Sequence, residues 1–460
     1  MTEQLSDAPS VLLGFRAENV RSFRDELQFS MLATALAEPD VAREVTWREG
    51  GKPIGVLPAA GIFGANASGK SNVLRAMSDM RSYVLHSFRR GNPTGGVPRQ
   101  SFLLDARSKA RPSQFEIDVV LCGVRHEYGF IFDGERVIEE WATRYPHGRA
   151  ATIFERTYDR VTLGAVAKPK GRAVTELLRP NALFLSTAAS ANHPVLLPLY
   201  GWFERNLILA EARSRDRRQA LTTKMLDDSK MRDQVLMFLR AADLGITGAS
   251  KHELDPEMRE RLERAVRILV GEEGEPDDGK PATQATFETY GVRLKHHGVG
   301  GEVEFDSDDE SLGTLVWFGL VGPVIKALSD GSAFLADELD ASLHPALVAQ
   351  LIALFQSPET NPRRAQLVFN SHDTTILGAS AASRAGVDSQ RLLGRDQVWF
   401  TEKGNEGATR LYPLTDLDPR KDEALERRYL DGRYGATPIL SRPQFEETSR
   451  LVASVGGAAE

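Results

Sequence analysis

Apolar and polar positions alternate with period two in LLGFRAENV and ELQFSM, within Val11 to Met31, and the turn-like RSFRD between them predicts a pair of strands. The alternation returns from Ser101 to Tyr158. There FEIDVVL, EYGFIF, RVIEEWATRY and TIFERTY are separated by turn residues such as those at 132–135, which predicts an antiparallel meander. Val56 to Phe63 is mostly apolar and small, a buried strand, and Asn72 to Met80 continues as a helix carrying Val73, Leu74 and Met77. Ala182 to Ser186 is another short apolar stretch, followed by a helix near Pro198–Asn206. Residues 211–270 read as helical, with Leu221, Met225, Val235, Leu236, Phe238 and Leu239 as apolar positions. Further on, TLVWFGLVGPVIKAL predicts a helix kinked near Pro323, AFLA a strand running into carboxylates, ALVAQLIALF a helix opened by Pro345, and AQLVFN another strand. The pattern is that of an α/β protein with an added antiparallel part.

The junction between strand and helix at Gly64–Ser71, GANASGKS, satisfies the phosphate-binding pattern G-x-x-x-x-G-K-[ST] at every fixed position. Glycines at 64 and 69 let the backbone curl so that N–H groups face an anion, and the start of the following helix adds a positive dipole end. The candidate nucleotide contacts are Gly64, Ala65, Asn66, Ala67, Ser68, Gly69, Lys70, Ser71 and Asn72. Lys70 is expected on the β and γ phosphates and the Ser71 hydroxyl on Mg²⁺.

Downstream, AFLADELD ends a strand in adjacent carboxylates. Asp337 suits support of the Mg²⁺ and Glu338 suits polarisation of an attacking water. ESLGT opens the preceding helix, and its Ser311 and Gly313 offer a hydroxyl, backbone N–H groups and a helix dipole to a phosphate; an ordinary N-cap is the alternative. The strand after the Asp-Glu pair ends in Ser371-His372-Asp373.

Composition changes the picture little. The chain has 460 residues, 41% hydrophobic and 26% charged, enough for a sizeable core in one large or several smaller domains. No apolar run is expected to reach bilayer-spanning length, and MTEQLSDAPS lacks the order of a signal peptide, so a cytoplasmic location is expected. The single cysteine, Cys122, excludes an internal disulfide and a multi-cysteine zinc site, and reads as a small core residue. His296-His297 reads as a solvated turn. A net charge of −7 opposes indiscriminate coating of nucleic acid but leaves a local basic groove open. The richest basic stretch, Arg213 to Arg232, is interleaved with acids, and Arg89, Arg90 and Arg99 flank a Gly/Pro-rich loop; both read first as solvated surface.

The ordered set of phosphate loop, ESLGT, LADELD and NSHD resembles the ABC-type ATPase heads of the SMC and RecF kind. With LLGFRAENVRSFRDELQFSM at one end and YLDGRYGATP at the other, the chain is similar to the bacterial "AAA family ATP-binding protein" group related to abortive-infection and OLD-family ATPases. With few residues after Leu414, the OLD nuclease domain is not expected in this stretch. The resemblance implies a P-loop NTPase fold: an ABC-type ATPase head over 1–210 and 285–415 with an antiparallel β subdomain, a helical insertion at 211–284 and a C-terminal tail at 416–460. It implies ATP and Mg²⁺ as cofactors, with Glu338 and His372 as catalytic residues, His372 sensing the γ-phosphate. Ser71 and Asp337 hold the metal, and Ser311 and Gly313 contact the ATP of a second subunit. ESLGT departs from the transporter motif LSGGQ, and only Gln100 and Gln114 are candidates for a Q-loop. The implied partners are a second copy, in a homodimer or higher homo-oligomer with ATP sandwiched between heads, and a separately encoded toxin or nuclease in anti-phage defence. DNA binding in a RecF-like repair role is the alternative, no membrane is implied, and a scaffold with structural nucleotide or a cryptic nuclease are more distant readings.

Overall fold

A computed structural model describes residues 10–38, 41–211, 214–242, 244–253, 290–386, 391–438 and 441–456. Its first layer is a seven-stranded antiparallel sheet in the order Arg160–Leu163, Ala151–Thr157, Val137–Arg144, Val124–Phe132, Ser113–Leu121, Val11–Glu18, Leu27–Ser30. Phe115, Ile117 and Val119 face inward from one strand and meet Phe130, Tyr128 and His126 on the next, so the period-two pattern translates directly into a buried face. A two-residue turn, Cys122 with φ 49° and Gly123 with φ 77°, joins these strands; both residues have the positive φ of a type I′ turn. Cys122 is therefore exposed at a hairpin tip, not the core residue its size suggested.

The second layer is a six-stranded sheet in the order Leu207–Ala210, Ala333–Ala336, Gln366–Asn370, Ala59–Phe63, Val398–Lys403, Thr409–Pro413. Its first five strands are parallel and the sixth is antiparallel. Ala59–Phe63, Ala333–Ala336 and Gln366–Asn370 are buried throughout, as expected for parallel strands covered on both faces. The helices Lys70–His86 and Pro345–Gln356 pack on it. Open parallel sheets bind ligands beyond the carboxyl ends of their strands, and here those ends carry Phe63, Ala336 and Asn370.

Three further expectations change. The segment expected to be helical from 211 contains helices Arg215–Met225 and Ser229–Ala241, but Ile246–Glu253 is a strand pairing with Tyr290–Gly298, itself paired with Gly301–Asp306. Its partner is far away in sequence, which local spacing cannot reveal; residues 254–284 of that segment lie outside the described residues. His296 sits on this small sheet with its Nε2 2.6 Å from Glu310 Oε1, not in a solvated turn. Finally, Leu312–Asp330 is 19 residues long and apolar enough to cross a membrane by length and composition, contrary to expectation. It runs through Pro323 and is largely buried against Arg215–Met225, with Thr222 Oγ1 accepting the Gly322 N–H at 3.1 Å.

A buried ion pair ties the antiparallel layer to the helix Phe184–Ser190. Glu140 accepts from the Phe184 and Leu185 N–H groups at 2.6 and 3.0 Å and from Tyr128 Oη at 3.0 Å, with Arg156 Nη1 3.5 Å away and both side chains fully buried. Burial pushes the Glu140 carboxyl up and the Arg156 guanidinium down, each offset by the other. Removing one partner strands the other charge, so Glu140→Ala should cost about 3–5 kcal/mol of unfolding free energy in urea titrations. A loss below about 1 kcal/mol would show the pair to be dispensable.

Candidate functional site

The chain leaves the buried strand Ala59–Phe63 at Gly64, with φ 154°, and enters the helix after Gly69, with φ 107°. A Cβ on Gly64 would lie 2.5 Å from the Thr401 carbonyl oxygen, and one on Gly69 2.4 Å from Thr409 Oγ1. Glycine is thus required twice, by conformation and by space. The hairpin Val398–Pro413 braces the loop from behind: Ser68 Oγ is 2.7 Å from Thr401 Oγ1, and Thr409 Oγ1 donates to the Ser68 carbonyl at 2.8 Å. Ala65, Asn66 and Ala67 form the outer part of the loop, Asn66 and Ala67 exposed.

Lys70 is only 5% exposed and folds back over the loop, donating to the Gly64 and Ala65 carbonyls at 2.7 and 3.0 Å. His372 Nδ1 lies 3.4 Å from Lys70 Nζ. Burial lowers the ammonium from 10.5 to about 8, against the opposing pull of Asp340, Glu338 and Asp337. Between those values the unfolded chain holds the proton that the folded chain has released, so this group's contribution to stability rises with pH in that window.

The central strand Gln366–Asn370 lies between the strands ending in Ala336 and Phe63. Its last residue, Asn370, is fully buried and reaches both neighbours, its Nδ2 2.6 Å from Asp337 Oδ1 and 3.4 Å from Ser71 Oγ. Its Oδ1 accepts the Glu338 N–H. Asp337 is buried, with Oδ2 3.3 Å from Arg75 Nη2, one helical turn beyond Ser71. Glu338 has φ 55° and an exposed side chain. The His372 N–H lies 3.2 Å from Asp340 Oδ2.

Lys70, Ser71, Asp337, Glu338 and His372 are thus brought together from the two halves of the chain. Ser311 and Gly313 are not among them: Ser311 caps Leu312–Asp330, accepting the Thr314 N–H at 3.1 Å, and no hydrogen bond among the described residues joins it to the phosphate loop. Leu312 does share a cavity of about 200 Å³ with Asp337, Glu338, Arg215 and Arg218. Asn72 Nδ2 donates to Ser22 Oγ at 2.8 Å. Gln100 lines a cavity of about 400 Å³ with Asn72 and Ser22, whereas Gln114 is paired within the antiparallel sheet.

The residues fit a nucleotide with magnesium. The curled loop, the helix start and the buried ammonium suit phosphates, and Ser71 Oγ and the Asp337 carboxylate are hard oxygen donors. Among the described residues no group of three or more His, Cys, Asp or Glu could hold a metal by itself.

Asn370, Arg75 and Asp340 were not singled out from the sequence as site residues. The sequence signal for Asn370 is its place in NSHD, at the end of the apolar run AQLVF and two residues before His372. The C-terminal stretch also enters: Tyr429, Leu430, Asp431 and Thr437 line a cavity of about 980 Å³ with Gly64, Asn66 and His372. Tyr429 is stacked on Phe400, ring centroids 5.3 Å apart, so the segment is fastened to the strand that braces the phosphate loop.

Residues 59–378 match the family model described as "AAA domain, putative AbiEii toxin, Type IV TA system". No curated protein matches the chain in sequence. Solved structures with similarity include the SMC head domain from Thermotoga maritima, 12% identical over 87% of this chain and 98% of that one, with a TM-score of 0.35. The Smc head bound to the C-winged helix domain of ScpA is 11% identical over 88% and 99%, with a TM-score of 0.38. The Smc head with an extended coiled coil bound to the C-terminal domain of ScpA, from Pyrococcus furiosus, is 10% identical over 89% and 98%, with a TM-score of 0.37.

Proposed function

The chain belongs to that AAA-domain ATPase family, and from this premise we propose that it is a Mg²⁺-dependent ATPase switch that hydrolyses ATP to ADP and phosphate. The observation that carries the reading is the meeting of Lys70, Ser71, Asp337, Glu338 and His372 around Asn370 at the ends of three adjacent parallel strands. In this reading the loop Gly64–Ser71 and Asn72 hold the nucleotide, with Lys70 on its terminal phosphates. Ser71 and Asp337 hold the metal, which supplies charge neutralisation at the phosphates. Glu338 takes the proton of the attacking water, and His372 reports the γ-phosphate.

Ser311 and Gly313 stand outside this cluster at an exposed helix start, which supports their use by a second copy. The head, 1–210 with 285–415, would then pair through sandwiched ATP, with the insertion 211–284 bringing Arg215 and Arg218 beside Asp337 and Glu338 and the tail 416–460 lining the cavity at the phosphate loop. The biological setting we propose is a cytoplasmic anti-phage system of the abortive-infection kind, in which the ATPase controls a separately encoded toxin or nuclease.

The test is phosphate release by the purified protein with ATP and Mg²⁺, alongside its mass in ATP and in ADP by light scattering. Turnover that disappears in EDTA, and doubling of mass in ATP, are expected; release at background in both conditions would overturn the reading. Because Lys70 titrates near 8, ATP affinity should also weaken with rising pH, by about tenfold between pH 7 and 9 if only the ammonium form binds. Fluorescent-nucleotide titrations across that range check it, and a flat profile would contradict it.

A further inference from the structure

We propose that Asn370 is a positioning residue that holds the metal-binding and water-activating groups in register, acting through Ser71, Asp337 and Glu338 rather than touching the nucleotide. The inference rests on the nucleotide reading above and adds a residue to it. It starts from the strand order. Asn370 ends the strand that separates the phosphate-loop strand from the Asp-Glu strand; it pairs with Ile62 on one side, and Phe369 just before it pairs with Ala336 on the other.

Its amide uses each polar atom on a different target. Nδ2 donates to Asp337 Oδ1 at 2.6 Å and lies 3.4 Å from Ser71 Oγ, while Oδ1 accepts from the Glu338 backbone. This division needs an amide: the donors meet oxygens and the acceptor meets an N–H. A carboxylate of the same shape would set two anionic oxygens against each other at Asp337, and a shorter side chain would release all three.

The third contact is the most informative. Glu338 has φ 55°, a conformation disfavoured for a residue with a Cβ, and such backbone persists only where its surroundings hold it. The Asn370 carbonyl is a hydrogen-bond partner of the N–H at that residue, and the Leu339 N–H bonds to the Asn370 backbone oxygen at 3.1 Å. One residue therefore fixes the turn that aims Glu338 and orients the Asp337 carboxylate. Asp337 Oδ2 points to Arg75, which leaves Oδ1 and its orientation to Asn370. Outer hydrogen-bond partners of metal-binding groups typically govern 10- to 100-fold in affinity or activity.

The experiment compares Asn370→Asp, which preserves shape, with Asn370→Ala, which removes all three contacts. For each, thermal unfolding, fluorescent-ATP binding in EDTA and in Mg²⁺, and steady-state turnover are measured. The expected result is a split. ATP binding in EDTA stays within about threefold of wild type, while Mg²⁺ at half-saturation rises and kcat falls, each by about 10- to 100-fold.

If both variants bind Mg²⁺ and turn over with kcat and KM near wild type while only their melting temperatures drop, the residue is merely structural and the inference is overturned. Equal loss of ATP binding in EDTA and in Mg²⁺ by a folded Asn370→Asp protein also overturns it, because the residue would then act on the nucleotide. Failure of the underlying reading looks different: wild type itself would release no phosphate, and Lys70→Ala would leave ATP binding unchanged.

Discussion

Lys70→Ala protein will remain folded and lose ATP. The ammonium is buried, its proton is held less tightly than in water, and its hydrogen bonds in this structure go to the Gly64 and Ala65 carbonyls of its own loop. Those carbonyls belong to a glycine-bounded turn that Thr401 and Thr409 also brace, so deleting the side chain leaves the loop's other supports in place. A buried ammonium carries a desolvation cost that alanine does not, which predicts a melting temperature equal to or above wild type. Loss of a buried, charge-assisted contact to phosphate costs about 2–5 kcal/mol, or roughly 30- to 4,000-fold in affinity. Isothermal titration calorimetry with thermal unfolding separates the two effects. Binding within about threefold of wild type would remove Lys70 from the site.

The parts of this site legible in the sequence are those whose chemistry is local. Gly64 and Gly69 are read from a fixed spacing because the curl they allow spans one loop, and the structure finds a positive φ at both. The apolar run before Asp337 announces a buried parallel strand for the same reason. What escaped is set by neighbours in the sheet. Asn370 matters because its strand lies between two others, and no local pattern states that order. Ile246–Glu253 looked helical because its partner, Tyr290–Gly298, lies beyond a long intervening segment. Cys122 was misplaced by its residue type, since the turn's need for positive φ outweighed the usual burial of cysteine. The helix Leu312–Asp330 shows a further limit: the same apolar run serves a membrane span or a core helix, and packing against Arg215–Met225 decides for the core.

Glu338→Gln protein will bind ATP and hardly turn it over, and it is this variant that bears most directly on whether the site is whole within one chain. The side chain is exposed, the backbone has φ 55°, and the Glu338 N–H bonds to the Asn370 side chain, so the carboxylate is open to water on a turn tied to the neighbouring strand. Glutamine keeps the size and cannot accept the proton, so kcat should fall by about 10²- to 10⁴-fold with ATP affinity retained. Any state that hydrolysis normally ends should then accumulate. If Ser311 and Gly313 of one copy complete the site of another, that state is a dimer, because the helix start carrying them makes no hydrogen bond to its own phosphate loop among the described residues. Light scattering of the variant in saturating ATP and Mg²⁺ should therefore give twice the monomer mass, and in ADP the monomer mass. Wild-type turnover would remove Glu338 from its proposed role. A variant that is slow yet strictly monomeric would leave that role standing but assign Ser311 to the plain duty it performs in this structure, capping a buried helix.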